Sequence, residues 1–194
     1  MTRMPLADRR QQLVDAAIAV MKRDGVNKAT TRAIVAEAGT SLSVFHYCFD
    51  SKDALLDAVI KTIVGKTATL AEASMVPGTD RVEMLKAAMR AYWEHLVANP
   101  EEHLLTYEVT QYCLRNPELA HVAKLQYEHY ANAYVTLFAT AGLRSTWPME
   151  TLARYLAVIF DGLTLDWLAR RDDDAAYAVL DAVADHVGGL LRPL

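Results

Sequence analysis

The amino-acid sequence predicts an all-α protein of about nine helices, and three observations lead to this prediction. Apolar residues recur at helical spacing, as in the stripe over residues 13–21. Glycines such as Gly25 and Gly39 follow periodic segments, where a left-handed residue can end a helix. Pro100 follows Asn99 and precedes two acids, which is typical of a helix start. Alternating strand patterns are hard to find, so no sheet is expected.

Seven of the predicted helices begin at a residue whose side chain can accept hydrogen bonds from backbone amides. In chain order these residues are Asp8 (in a capping box with Gln11), Thr30 or Thr31, Ser41, Asp50 or Ser51, Asp80, Asn99 and Asn116. The clearest break between two halves lies at residues 75–78, and residues 142–148 are predicted to form a loop. Two long helices are expected near 149–171 and 174–191.

Composition limits the class of protein. A hydrophobic fraction of 53% with only 8 Gly and 6 Pro excludes a disordered chain. Two cysteines make no disulfide framework, and neither a leader nor a membrane-length apolar stretch is found. These features predict a cytoplasmic protein. The first 66 residues carry ten Lys/Arg against seven Asp/Glu and the remainder ten against seventeen, so we expect that only the N-terminal third meets a polyanion.

The segment "TTRAIVAEAGTSLSVFHYCF" has the form of two short helices joined by a glycine turn. Gly39 relieves the turn, and Ala36, Val44 and Phe45 can close the angle between the helices. On the second helix, His46 and Cys48 are about 200° apart around the axis, so they cannot readily share a metal. The pattern predicts a helix-turn-helix, although a purely structural helical corner would look similar.

Residues 9–60 resemble the DNA-binding domain of the TetR (tetracycline-repressor-like) transcriptional regulators. The matching pieces are "DAAIAVMKRDGVNKATTRAIVAEAG", "TS" at the start of the recognition helix, and "SKDALL". The C-terminal stretch "IFDGLTLDWLARRDDDAAYAVLDAVADHV" is similar to the dimerising ends of many members. The resemblance implies a homodimeric repressor that leaves a near-palindromic DNA operator when it binds a small-molecule effector.

The residues expected to contact DNA combine the resemblance with the exposed face of the predicted recognition helix. They are Thr31, Arg32, Thr40, Ser41, Leu42, Ser43, His46, Tyr47 and Lys52. Residues 40–49 contain no Arg, Lys, Asn or Gln, so Arg32 is the nearest guanidinium for base or phosphate contact. The alternative is that Arg32 pairs with a neighbouring acid. We also expect Arg3, in the N-terminal arm, to enter the minor groove.

The last two predicted helices are apolar on nearly every side, which requires burial on every side. A four-helix interface between two copies satisfies that need, and a hairpin buried within one chain is the alternative. The residues predicted to form the dimer interface are Leu156, Ile159, Gly162, Leu163, Leu180, Val183 and Val187.

Aromatic residues are concentrated between these two segments of the sequence. As a set they suit an apolar effector pocket with a few polar groups, although each one alone is more typical of ordinary core. The residues predicted to line the pocket are Tyr92, Trp93, Tyr107, Tyr127, Tyr130, Tyr134, Phe138, Phe160 and Trp167. Asp161 and Asp166 lie in the apolar helix nearby, and either one could meet a ligand hydroxyl or a cation.

The predicted DNA-binding domain covers residues 1–52, with a connecting fourth helix over 52–75, and the effector and dimerisation domain covers 53–194. No catalytic, cofactor-binding or metal-binding motif is found, so neither an enzyme nor a cofactor is expected. Two other functions remain open. One is a metal-responsive regulator in which Cys113, His121 and nearby acids are ligands, and the other is a helical adaptor that does not bind DNA.

Overall fold

A computed structural model describes residues 4–76 and 80–194, so the expectation for Arg3 lies outside the described residues. Within those ranges the chain forms nine α-helices and two short strands. The helices are α1 Leu6–Asp24, α2 Thr31–Glu37, α3 Leu42–Cys48, α4 Lys52–Ser74, α5 Arg81–Ala98, α6 Pro100–Arg115, α7 Ala120–Thr140, α8 Met149–Arg170 and α9 Asp173–Leu190. Short 3-10 helices cover Val26–Lys28 and Pro117–Leu119. The all-α prediction is confirmed.

Several predicted caps form. Thr30 Oγ1 accepts a hydrogen bond from the Ala33 amide at 3.2 Å, and Ser51 Oγ accepts one from the Ala54 amide at 3.2 Å. The Asp80 carboxylate accepts one from the Val82 amide at 2.8 Å. These bonds satisfy amides that a helix start leaves without an intrahelical partner.

Other predicted caps do not form, and the side chains of Ser41 and Asn116 make no cap hydrogen bond. Helix α1 begins at Leu6 after Pro5, upstream of the expected capping box at Asp8. Asn99 does precede α6, but its side-chain amide donates to the His95 carbonyl at 3.0 Å and so closes α5.

The expectation of no sheet was also wrong for a small part of the chain. Strands β1 Leu143–Ser145 and β2 Leu191–Pro193 pair in antiparallel fashion, with Arg144 opposite Arg192. Gly142 has a φ of 67° in the preceding turn, and its carbonyl accepts a hydrogen bond from the Leu194 amide at 2.9 Å. The pair joins the loop before α8 to the residues after α9.

The chain divides into two compact units. The first, called the head here, comprises residues up to Ile63 together with Glu101–Gln126. The second, called the body, comprises Val64–Pro100 and Tyr127–Leu194. Helix α6 therefore belongs with the head, which the predicted boundary at residue 52 did not anticipate. The functional boundary itself stays a prediction.

Each unit has its own core. In the head, the fully buried side chains include Leu13, Met21, Ile34, Phe45 and Ile60. In the body, α5 packs on α9, and its large buried side chains include Trp93, Leu96, Phe138, Leu152 and Trp167. Over the described residues, no helix has the length and apolarity needed to span a membrane.

Candidate nucleic-acid interface and effector site

The turn between α2 and α3 has the form predicted from the sequence. Gly39 has a φ of 59°, a left-handed conformation that costs a glycine little. The Thr40 amide donates to the Val35 carbonyl at 2.9 Å, which closes the end of α2. The backbone thus turns sharply and starts α3 two residues later.

Helix α3 has one buried and one exposed face. Phe45, Cys48 and the following Phe49 are at most 3% exposed, and the rings of Phe45 and Phe49 lie 5.8 Å apart. On the opposite side Tyr47 is 62% exposed and Leu42 is 38% exposed. Ser41, Ser43 and His46 are exposed as well. A helix anchored in this way presents a fixed set of side chains to DNA.

The arginines near the helix-turn-helix differ in their contacts, since two of them bind neighbouring helices and one is exposed. Arg10 donates to the Cys48 carbonyl and lies 4.2 Å from the Phe49 ring centroid, which ties α1 to the end of α3. Arg23 Nη1 lies 2.9 Å from the Glu37 carboxylate and ties α1 to α2. Arg32 is exposed and forms no ion pair with any described residue, so the alternative of a paired Arg32 is not observed.

The beginning of α4 is held by α6 and α7 inside the head. Lys52 Nζ lies 3.4 Å from Tyr112 Oη and 4.7 Å from the centroid of that ring. His121 Nε2 lies 3.2 Å from the Asp53 carboxylate. Thr31 and Thr40, two more of the predicted DNA contacts, are half-buried. Tyr112 was not anticipated as a partner of Lys52, since the two residues are sixty positions apart.

The pKa of Asp53 lies below its ordinary value, chiefly because of its hydrogen bond with the Ser51 side chain, with a smaller contribution from His121. A carboxyl group whose pKa is lower in the folded state stabilises the fold above its unfolded pKa of about 3.9. That stabilisation is lost as the pH falls through the folded pKa. Asp53→Asn is therefore expected to flatten the decline of unfolding free energy below about pH 5. Urea unfolding from pH 3 to 7 measures this, and an unchanged pH slope would contradict it.

Many of the predicted effector residues lie close together in the body. The tyrosine cluster consists of Tyr92 on α5, Tyr127, Tyr130 and Tyr134 on α7, and Phe160 on α8. The Tyr92 and Phe160 centroids are 5.1 Å apart and nearly perpendicular, at 87°. Tyr134 lies 6.1 Å from Phe160, and Tyr127 lies 5.6 Å from Tyr130. The three α7 tyrosines follow one another at spacings of three and four residues, which places them on one face of the helix.

Two polar side chains of α8 belong to the cluster. Tyr127 Oη donates to the Asp161 carboxylate at 2.6 Å. Tyr92 shares a hydrogen bond with the buried Thr164. Burial is the main cause that raises the pKa of Tyr92, Tyr127 and Tyr134, and Asp161 raises all three further. Their phenols therefore stay neutral at physiological pH.

Three of the four remaining predicted effector residues lie in the same buried core as Phe160, and the fourth lies in the other unit. Trp93, Phe138 and Trp167 are core residues of the body, with the two indole centroids 6.0 Å apart. Trp167 Nε1 donates to Asp173 at 2.6 Å, which ties α8 to the start of α9. Tyr107 belongs to the head rather than to the body.

The predicted dimer residues mostly face the interior of their own chain. Five of them are at most 8% exposed and belong to the core of the body; they are Leu156, Leu163, Leu180, Val183 and Val187. Ile159 is half-buried and Gly162 is exposed. The exposed apolar face of α8 and α9, called the outer face here, instead carries Val158, Leu165 and Val179, which are 60%, 49% and 41% exposed.

The proposed metal ligands do not form a site. Burial raises the pKa of the Cys113 thiol to about 11, which disfavours the thiolate that binds metals. His121 is paired with Asp53. Among the described residues, no three His, Cys, Asp or Glu side chains are placed to hold one ion.

Two family models match the chain. "Bacterial regulatory proteins, tetR family" matches residues 13–59, and "Tetracyclin repressor-like, C-terminal domain" matches residues 80–192. The second match alone covers more than half of the chain.

Curated relatives and solved structures agree with these matches. A nicotine-responsive transcriptional repressor of Paenarthrobacter nicotinovorans, HdnoR, is 33% identical over 193 residues, covering 96% of this chain and 99% of that protein. The regulator BetI of Rhizobium meliloti is 26% identical, covering 95% and 90%. A crystal structure of the multidrug binding protein EbrR with imidazole is 29% identical, covering 89% and 92%, with a TM-score of 0.64. The chain therefore belongs to the TetR family and is a ligand-responsive, DNA-binding transcriptional regulator.

Proposed function

We propose that the protein is a homodimeric repressor that binds a near-palindromic operator and is released by a small organic effector. The observation that supports it best is α3, a helix held by buried aromatic rings whose opposite face is exposed and polar. DNA binding, effector binding and dimerisation each use a different surface of the chain. Repression, rather than activation, is inferred from the nicotine-responsive repressor that covers nearly the whole chain.

The proposed DNA contacts fall into two groups, those suited to phosphate oxygens and those suited to bases. Arg32, Thr31 and Lys52 suit phosphate oxygens, since guanidinium, hydroxyl and ammonium groups donate hydrogen bonds. Ser43, His46 and Tyr47 lie on the exposed face of α3 or beside it and suit base edges. Leu42 suits a thymine methyl group. With few bidentate donors on α3, DNA shape contributes to sequence preference.

Effector binding is assigned to the tyrosine cluster of the body. HdnoR responds to nicotine, and EbrR was crystallised with imidazole. Both compounds are small and contain ring nitrogens. An aromatic cluster with a carboxylate and a hydroxyl at its edge suits an occupant of that size. The effector lowers DNA affinity because it binds the DNA-incompetent form more tightly.

Dimerisation is assigned to the outer face. Val158, Gly162 and Leu165 follow one side of α8 at spacings of four and three residues. Apart from its own stretch of helix, a Cβ atom added at Gly162 would meet no atom of the described residues within 4 Å, so the fold of one chain does not require a glycine there. A glycine on an exposed apolar face suits close approach by a second copy.

The experiment that tests the proposal is a gel shift with the purified protein and the DNA upstream of its own gene. We expect a complex at low salt with two chains per operator, and a fall in affinity as salt rises. A folded dimer that fails to bind this DNA at low salt would contradict the operator assignment. It would favour the non-DNA-binding adaptor instead.

Arg32→Ala is expected to weaken operator binding about 10- to 100-fold, since a charged contact to phosphate or guanine contributes about 1–3 kcal/mol. The free energy of unfolding should change by less than about 0.5 kcal/mol, because the side chain is exposed and forms no ion pair with the described residues. Fluorescence anisotropy at several salt concentrations measures the affinity and its slope. Arg115→Ala, an exposed arginine on α6, is the matched control.

A further inference from the structure

We infer that Tyr112 is a positioning residue for DNA binding, whose ring holds the Lys52 ammonium in place while leaving it charged and available to a DNA phosphate. This role rests on the proposed function, in which Lys52 contacts phosphate, and it adds a residue far from the helix-turn-helix to the DNA-binding apparatus. Lys52 is the first residue of α4, and Tyr112 lies on α6. Both residues belong to the head.

The contact between the two side chains has two components. Lys52 Nζ lies 4.7 Å from the centroid of the Tyr112 ring, inside the distance of about 6 Å at which a ring face attracts a cation. Nζ also donates a hydrogen bond to Tyr112 Oη at 3.4 Å. An ammonium group has three donors, and this bond uses one of them. Lys52 is only half-buried, so its remaining donors can still reach a phosphate.

The partner of Lys52 is neutral, unlike the partners of several other cations in the chain. Arg23 Nη1 lies 2.9 Å from the Glu37 carboxylate. Lys61 Nζ lies 2.7 Å from the Asp57 carboxylate. In such pairs an acid already occupies the position that a phosphate would take. Lys52 forms no ion pair with any residue that the structure describes, so a phosphate does not have to displace an acid to reach it.

The carboxylate that follows Lys52 in the sequence has other partners. Asp53 lies 3.2 Å from His121 Nε2 and shares a hydrogen bond with the Ser51 side chain. Two successive residues of opposite charge are therefore held by different helices, Lys52 by α6 and Asp53 by α7. This separation leaves the Lys52 charge to the Tyr112 ring.

The position of Lys52 in α4 gives an independent reason to expect a binding role. The amides at the start of a helix carry partial positive charge, which favours an acid there and disfavours a lysine. Asp53 follows this rule in the first turn of α4, and Lys52 does not. The Tyr112 ring offsets part of this cost in the free protein, and a bound phosphate would offset more of it.

The test measures DNA binding by fluorescence anisotropy at several salt concentrations, with the upstream DNA and with a random duplex of the same length. We expect Lys52→Met to weaken binding about tenfold and to lower the slope of log affinity against log salt by about one for each bound chain. Tyr112→Leu should weaken binding about three- to tenfold and lower the slope by a smaller amount, because the ammonium is no longer held near the phosphate.

The double variant decides whether Tyr112 acts through Lys52. Tyr112→Leu should cause no further loss of affinity once Lys52→Met is present. Tyr112→Phe keeps the ring face and should lose less than about threefold. Leu114→Ala, at a 64% exposed residue of the same helix, is the matched control and should change nothing. Equal losses from Tyr112→Leu with and without Lys52, or no loss in either case, would overturn the proposal.

Thermal denaturation shows whether each variant is folded at the assay temperature. If Tyr112→Leu is not, Tyr112→Gln takes its place in the same comparison.

The outcome can be separated from that of the proposed function, because phosphate contacts carry no sequence information and a random duplex at low salt also reports them. Failure to prefer the upstream DNA would contradict the operator assignment and leave the Tyr112 comparison intact on the random duplex. Operator binding that is indifferent to Tyr112 would overturn only the positioning role. Failure to bind either duplex would contradict both.

Discussion

Replacing Val158 and Leu165 together with glutamate is expected to convert the dimer to monomers and to reduce operator affinity about 10²- to 10⁴-fold. Both side chains lie on the outer face and are about half exposed in one chain. Glutamates buried across a two-fold axis would face other carboxylates without partners, which costs several kcal/mol. Once the dimer is lost, each head binds its half-site alone and the gain from linking two heads disappears. Analytical ultracentrifugation and anisotropy measure the two effects.

The matched control for this pair is Thr69→Glu, an exposed residue of α4 in the body. It adds negative charge to the same unit away from the outer face, so the dimer should persist. The thermal stability of the double variant as a monomer should fall only modestly, because neither side chain belongs to the core of one chain. A double variant that remains dimeric and binds DNA normally would exclude the outer face as the interface.

Much of the head could be predicted from the sequence because its signals are local. Thr30 and Ser51 cap helices where the sequence predicts caps, and Gly39 takes the positive φ that the turn requires. The spacing of Phe45, Cys48 and Phe49 determines which side of α3 is buried. Each of these inferences depends on residues a few positions apart.

The body was harder to predict because α8 and α9 are apolar on nearly every side. In such helices, periodicity does not show which stripe faces the chain's own core. Leu156 and Leu163 turn inward against the core, and Val158 and Leu165 turn outward. The pairing of β1 with β2 joins residues about fifty positions apart in three-residue strands, which are too short for an alternating pattern.

The tyrosine cluster was predicted only in part. Aromatic composition identified Tyr92 and the three α7 tyrosines. The contact between Tyr127 and Asp161 joins two helices, and no sequence spacing encodes it. Tyr107 is aromatic like the residues of the cluster, but it belongs to the head. The chain passes from the body to the head at the start of α6 and returns to the body within α7.

Phe45→Ala is expected to cost about 3–5 kcal/mol of unfolding free energy, a large fraction of the 5–15 kcal/mol typical of a folded domain. The ring is 2% exposed and lies 5.8 Å from Phe49 and 5.5 Å from His46, so its removal leaves a cavity beneath α3. The melting temperature should fall by about 6–20 °C, and operator binding should be lost. Thermal denaturation followed by circular dichroism, with gel shifts at low temperature, measures both.

Leu42→Ala is the matched control, because it truncates an apolar side chain on the same helix that is 38% exposed. It should change stability by less than about 0.5 kcal/mol while still weakening operator binding through a lost thymine contact. The pair distinguishes two ways in which α3 contributes to function, since Phe45 positions the helix and Leu42 contacts the DNA. If Phe45→Ala retained both its melting temperature and its operator affinity, the helix would not depend on its buried face. In that case the division of α3 into an anchoring side and a DNA-contacting side would be wrong.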